Sequence, residues 1–215
     1  MGTVRALLFD FNGTLSHDEP LLLAIYQQLF ARHGRPITSE QYFERFAGLP
    51  DESIVGGWLG VDGPLLASLV ADRVATYGAR AADGSTVPGA IRDAVRHAAD
   101  RVPVAVVSAA YRAEIEPVVA AAGLRSALTT IVAADDVERE KPDPACYLLA
   151  LERLGLTGPA AVAFEDTEAG VAAAKAAGIR CIAVRGTMRD ARLVAADEIV
   201  DAIDIDLVDR LLAEV

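Results

Sequence analysis

Lysine is nearly absent from this chain: Lys141 and Lys175 are the only two among 215 residues, and every other basic residue is arginine. Positive charge as a whole is scarce, with 20 Lys and Arg against 31 Asp and Glu and a formal net charge of −11. That balance excludes the clustered cations that neutralise nucleic-acid phosphates, and it excludes electrostatic attachment to an anionic membrane. A small phosphorylated metabolite stays compatible, because one pocket can be positive on a negative protein, above all around a bound cation. Cysteine is equally rare. Cys146 and Cys181 stand alone, without a CxxC or any metal-ligand spacing, and read as two buried or half-buried reduced thiols. No window approaches the ~20 apolar residues of a membrane span. The first ten residues lack the basic and apolar blocks of a secretory signal. The expectation is a soluble cytoplasmic protein.

What the chain does contain is a rhythm. Short apolar runs rich in β-branched residues occupy 4–11 (VRALLFDF), 102–108 (VPVAVVS), 130–133, 160–164 (AAVAF), 181–184 and 198–200. The first five are apolar nearly throughout, as strands covered on both faces are. Helix-like stretches separate them at 90–99, 112–121, 144–154 and 168–177, with Gly123, Gly155 and Gly178 where helix C-caps belong. This alternation predicts right-handed βαβ crossovers and a doubly wound α/β domain with a parallel sheet. One segment breaks the pattern. Between residues 16 and 83 no strand is evident, while 21–33, 39–46, 52–59 and 64–77 all read as helices, and 79–88 reads as a hinge. The predicted organisation is a catalytic core of residues 1–15 and 84–215 with an α-helical cap domain, 16–83, inserted between.

Four features fall at the C-terminal ends of predicted strands, where open α/β sheets place their ligands. DFNGTL, residues 10–15, offers Asp10 as a nucleophile toward phosphorus, with Gly13 and Thr14 able to turn backbone N–H groups toward phosphate oxygens. Ser108 ends the second strand and offers a hydroxyl. Lys141, in EKPDPACY, precedes a helix and can offset charge developing on a phosphoryl group. Glu165 and Asp166, in FEDTEAG, follow an apolar strand and offer hard oxygen ligands suited to Mg²⁺. Each has an ordinary structural reading when taken singly: an Asn-Gly turn, a strand-end serine, a surface lysine, a helix N-cap by Asp166 or Thr167. Their joint occurrence in this order reverses that weighing.

On these motifs the sequence resembles the haloacid-dehalogenase-like hydrolase superfamily. It resembles the subgroup with a helical cap inserted after the first motif, which includes β-phosphoglucomutase-like and phosphoglycolate-phosphatase-like enzymes. The resemblance implies a phosphoric monoester hydrolase with Mg²⁺ as cofactor. In it Asp10 is nucleophile and metal ligand, position 12 gives a backbone carbonyl to the metal, and Asp166 completes the protein ligands with Glu165 beside it. Ser108, the backbone at Ala109 and Lys141 hold the phosphoryl group. Residues 18–20 and 46–55 become hinge and substrate loop. The pattern departs at Asn12, where the family's phosphatases and mutases carry a second aspartate that protonates the leaving alcohol. Asparagine cannot do so, and such help is typically worth ~10²–10⁴ in rate. Substrates with good leaving groups, or His17 or Glu19 nearby, are the alternatives. The cap lacks lysine, against Schiff-base chemistry, and the Glu165–Asp166 pair speaks against dehalogenation. The substrate loop offers Asp51, with Arg45 the nearest cation, against a sugar-phosphate mutase. A plain phosphatase acting on a small phosphorylated metabolite is the expectation. A degenerate relative that binds phosphate and Mg²⁺ with little turnover is its rival.

Overall fold

The computed structural model describes residues 3–213. Six strands form one wholly parallel sheet: β1 (Ala6–Phe9), β2 (Val104–Val107), β3 (Thr130–Val132), β4 (Ala161–Glu165), β5 (Arg180–Val184) and β6 (Glu198–Val200). Their order is β3-β2-β1-β4-β5-β6, so the chain leaves β1 toward one edge and later returns to its other side. That reversal at β1 is the topological switch point where such sheets open a ligand crevice.

The period-2 alternation of β1 explains why both faces are covered. Leu7 and Phe9 enter one core, with α5 (Gly89–Ala99), α6 (Arg112–Ala121) and α10 (Ile205–Ala213) behind them. Ala6 and Leu8 enter the other, against α7 (Ala145–Leu154) and α8 (Glu168–Ala176). Phe9 stacks on Phe164 of β4, ring centroids 4.7 Å apart. Cys146 and Cys181 are both buried free thiols.

Between β1 and α5 the chain forms four helices: α1 (Glu19–Arg32), α2 (Ser39–Arg45), α3 (Asp51–Leu59) and α4 (Gly63–Ala81). These helices share an apolar cluster of their own around Tyr26, Phe30, Tyr42 and Val55. Pro20 sits in the first turn of α1, where its missing N–H costs nothing, and Thr38 with Gln41 forms a capping box on α2. The helix α4 runs to Ala81 and absorbs the start of the expected hinge, since Ala79, Arg80 and Ala81 are good helix formers. Two helices lie where the sequence rhythm had shown none: α9 (Asp190–Leu193) and α10, which buries Leu207, Val208 and Leu211. Among the described residues, no helix is long and apolar enough to cross a membrane.

Candidate active site

All of the strand-end motifs meet at the C-terminal edge of the sheet. Asp10 follows β1, Ser108 follows β2, and Glu165 with Asp166 ends β4. Glu165 is the last residue of β4 rather than the first of the loop, because its backbone keeps pairing with Ala183 of β5. Lys141 reaches this edge from the turn ahead of α7. Its Nζ donates to Asp10 Oδ1 at 2.6 Å, to Glu165 Oε1 at 2.6 Å and to the Val107 carbonyl at 2.9 Å. Tyr147 donates to the same Glu165 oxygen at 2.6 Å. Burial alone would lower the lysine's pKa, but Asp10 and Glu165 outweigh it and hold the ammonium charged.

The carboxylates feel burial first. It pushes Asp10 up, with Lys141 pulling back, and raises Glu165 to about 7 against the same lysine. Asp166 is held well above the usual carboxylate range by burial and then by Asp10 and Glu165. Asp10, Glu165 and Asp166 bring ligand oxygens within 4.8 Å of one another. Glu165 Oε2 and Asp166 Oδ2 are buried without a hydrogen-bond partner. An orphaned buried carboxylate oxygen costs several kcal/mol of desolvation, and a hard divalent cation is the partner such oxygens suit. The donor set therefore fits Mg²⁺, with Asp10 and Asp166 as ligands and Glu165 tied to Lys141 at their side. The helix cap that could have claimed Asp166 falls instead to Thr167, whose Oγ1 accepts from Gly170 N at 3.1 Å.

The DFNGTL turn does something different from what its spacing suggested. Gly13 N donates to the Ser16 carbonyl at 2.7 Å and to Asp18 Oδ1 at 3.3 Å, and Thr14 N donates to the Phe11 carbonyl at 3.4 Å. As a correction, then, neither of these N–H groups is turned toward a phosphate; the turn's own closure uses them. Both residues serve Asp166. The Thr14 hydroxyl donates to Asp166 Oδ1 at 3.3 Å. Gly13, at φ +74°, leaves the space into which a Cβ would collide with Asp166 Oδ2. Asn12 donates its amide to Asp18 Oδ2 at 2.9 Å, and Asp18, also bonded by Tyr77, is buried and raised to about 6 by that burial. His17 is exposed and anchored by its backbone N–H to the Thr86 carbonyl.

A pocket opens over this edge, walled on one side by Asp10, Asn12, Ser108, Ala109, Lys141 and Asp166. The expected substrate loop supplies Gly48, Leu49, Asp51 and Ile54 to the opposite wall. Sequence reasoning missed Tyr26, Tyr42 and Arg73 of that wall, three helix residues without a motif, while Glu19 at the start of α1, an alternative acid on sequence grounds, also lines it. Glu19 accepts from Tyr42 at 3.2 Å, and burial, then Asp18, raises it to about 7. Arg73 of α4 is 5% exposed and ion-pairs with both Asp51 of α3 and Glu114 of α6. A charged residue buried mid-helix was the one signal that could have exposed it, and burial is not written in a local motif.

A family model described as haloacid dehalogenase-like hydrolase matches residues 7–184. Among curated relatives, the validoxylamine A 7'-phosphate phosphatase of Streptomyces hygroscopicus subsp. limoneus is 34% identical over 196 residues, spanning 90% of this chain and 91% of its own length. The phosphoglycolate phosphatase of Pectobacterium atrosepticum is 31% identical over 83% of this chain and 79% of its own. A crystal structure of CbbY from Rhodobacter sphaeroides, a mutant in complex with xylulose-(1,5)bisphosphate, is similar at TM-score 0.83 and 30% identity, covering 93% of this chain and 95% of that one.

Proposed function

The chain belongs to the haloacid dehalogenase-like hydrolases, and we propose that it is a Mg²⁺-dependent phosphatase cleaving a small phosphorylated metabolite through an aspartyl-phosphate on Asp10. One observation carries this reading: Asp10 stands at 2.6 Å from the Lys141 ammonium, beside the orphaned carboxylate oxygen of Asp166. Phosphatases among its relatives support it.

In this reading an Asp10 oxygen attacks phosphorus, the bond from phosphorus to the leaving oxygen breaks, and that oxygen leaves as an alcohol once protonated. Water then attacks the aspartyl-phosphate at phosphorus, releasing phosphate and restoring the carboxylate. Bound Mg²⁺ would offset the negative charge of the phosphoryl group in both halves. Lys141 does the same from the protein side, and Ser108 with the Ala109 backbone orients the phosphoryl oxygens. Asn12 cannot titrate, and its amide is already given to Asp18. Glu19 lines the pocket and is raised to about 7 by burial and then by Asp18, and it takes the leaving-group role in this scheme. Helices α1 to α4 act as the cap, excluding water from the pocket.

A second reading, a relative that holds phosphate and Mg²⁺ with little turnover, rests on Asn12 alone. Para-nitrophenyl phosphate and acetyl phosphate, assayed with Mg²⁺ on wild type and Asp10→Ala, separate the two. Asp10-dependent phosphate release from either supports the phosphatase; its absence from both leaves the binding protein.

A further inference from the structure

Tyr147 takes no part in the reaction scheme above, yet it touches two residues of the site. It lies in the first turn of α7 and is wholly buried. Its hydroxyl donates to Glu165 Oε1 at 2.6 Å, and Lys141 Nζ stands 5.3 Å from the centre of its ring. Burial, then the Glu165 charge, pushes the phenol well above its ordinary range, so the hydroxyl keeps its proton and remains a donor. Phenylalanine would fill nearly the same volume without bringing a polar atom into the core.

Glu165 is pinned from two sides. One oxygen, Oε1, takes both the tyrosine and the lysine. The other lies in the space that a Cβ on Gly170 would occupy, a niche in the first turn of α8 that glycine leaves open. The consequence falls on Lys141, whose three N–H groups are spread over three acceptors: Asp10 Oδ1, Glu165 Oε1 and the Val107 carbonyl. When Asp10 bonds to phosphorus its negative charge is gone, and one N–H is released for a phosphoryl oxygen. Two anchors then aim the ammonium, a carbonyl at the end of β2 and the Glu165 carboxylate. The second is a side chain, and Tyr147 is the group that fixes it.

Resting on the phosphatase reading above, we propose that Tyr147 is a positioning residue: its hydroxyl locks Glu165 into the Gly170 niche, and Glu165 in turn keeps the Lys141 ammonium on the phosphoryl group while Asp10 is phosphorylated.

The test is Tyr147→Phe, which keeps the ring, its packing and its place beside Lys141 and removes only the hydroxyl. With para-nitrophenyl phosphate and Mg²⁺, kcat is expected to fall about tenfold while KM moves by less than about threefold. Inhibition by vanadate, a five-coordinate mimic of the phosphoryl group in transfer, should weaken by about tenfold as well, and inhibition by inorganic phosphate by less than about threefold. A hydroxyl that only stabilised the fold would lower the urea midpoint and leave these ratios untouched. Wild-type kcat and vanadate inhibition in folded Tyr147→Phe therefore overturn the proposal, as does an equal weakening of vanadate and phosphate. Gly170→Ala tests the same lock from the other side, since its Cβ would displace Glu165. It should reproduce the kcat loss, and the double variant should cost no more than the larger single loss. Wild-type kcat in folded Gly170→Ala overturns the proposal even where Tyr147→Phe does not fold. Absence of Asp10-dependent hydrolysis in wild type is a separate result. It would overturn the phosphatase reading itself, and this role with it.

Discussion

Two buried cations in this molecule are built alike. Lys141 sits between Asp10 and Glu165, with Tyr147 bonded to the glutamate. Arg73 sits between Asp51 and Glu114, with Tyr26 bonded to the aspartate. Each is a cation, two carboxylates and a tyrosine, nearly out of contact with water. The difference lies in what remains unsatisfied around them. Beside Lys141, Asp166 Oδ2 and Glu165 Oε2 are buried with no donor, and with Asp10 the carboxylates form a cluster that suits a divalent ion. Around Arg73 the guanidinium itself meets an oxygen of each carboxylate and only its Nε lacks a partner, and the pair to Glu114 ties α4 to α6. Burial of charge alone therefore does not mark the reactive site; uncompensated burial does.

The largest test of this contrast is at its reactive end. Asp10→Asn keeps the side chain's shape and removes the nucleophile, so turnover of para-nitrophenyl phosphate should fall by on the order of 10⁴-fold or more. Mutating the two cations sharpens the comparison. Lys141→Met and Arg73→Met each leave two buried carboxylates unpaired, and each should lower stability by about 3–5 kcal/mol, read from urea melts. Where folding is retained, Lys141→Met should cost a further ~10²–10³ in kcat. Arg73→Met should act mainly on KM. Equal kcat losses in the two variants would erase the distinction between the triads.

The two triads also differ in how far the sequence revealed them. Lys141 stood out because lysine is so rare here, and Asp10, Ser108 and Asp166 each ended a recognisable apolar strand. A strand's end fixes where a side chain goes in a parallel sheet, so motif and position coincide. Arg73 is one of eighteen arginines on a long amphipathic helix. Its burial depends on how α4 packs against α3 and α6, which no local pattern encodes. The turn at Gly13 and Thr14 shows the opposite limit. Its residues were singled out, yet their N–H groups close the turn, and only the fold reveals that Thr14 and Gly13 act on Asp166. Helix α10 escaped notice although Leu207, Val208 and Leu211 stand at helical spacing, a signal that the residues alone carry.

Changing Asn12 gives a smaller, more selective effect. Its amide donates to Asp18 Oδ2 at 2.9 Å, so Asn12→Asp would set two carboxylates side by side and make them share one proton. In the proposed scheme that pair supplies a titrating proton where asparagine has none. Hydrolysis of alkyl phosphates, which need protonation, should rise by about 10²-fold, while acetyl phosphate, which does not, should change little. A uniform gain with both classes would show that the asparagine limits something other than proton transfer.

The smallest effect is on stability against pH, and its sign follows from which groups burial has shifted. In the metal-free protein burial pushes Asp18 up to about 6 and Glu19 and Glu165 up to about 7, from ordinary values of 3.8 and 4.5. The folded state holds these protons more tightly than the unfolded chain does, so stability is full below the unfolded values and declines as pH rises through 6 and 7. Carboxylates that are lowered by their partners, such as Asp136 and Asp197, titrate below 3.8 and leave this window untouched. The melting temperature should therefore fall by roughly 5 °C between about pH 5.5 and 8, a range clear of the isoelectric point near 4.7. Millimolar Mg²⁺ should cancel or reverse that slope, because a cation favours the ionised carboxylates and stabilises the folded state by mass action. A fall that Mg²⁺ leaves unchanged would place the titration at Asp18 and Glu19 alone and remove the metal from the core triad.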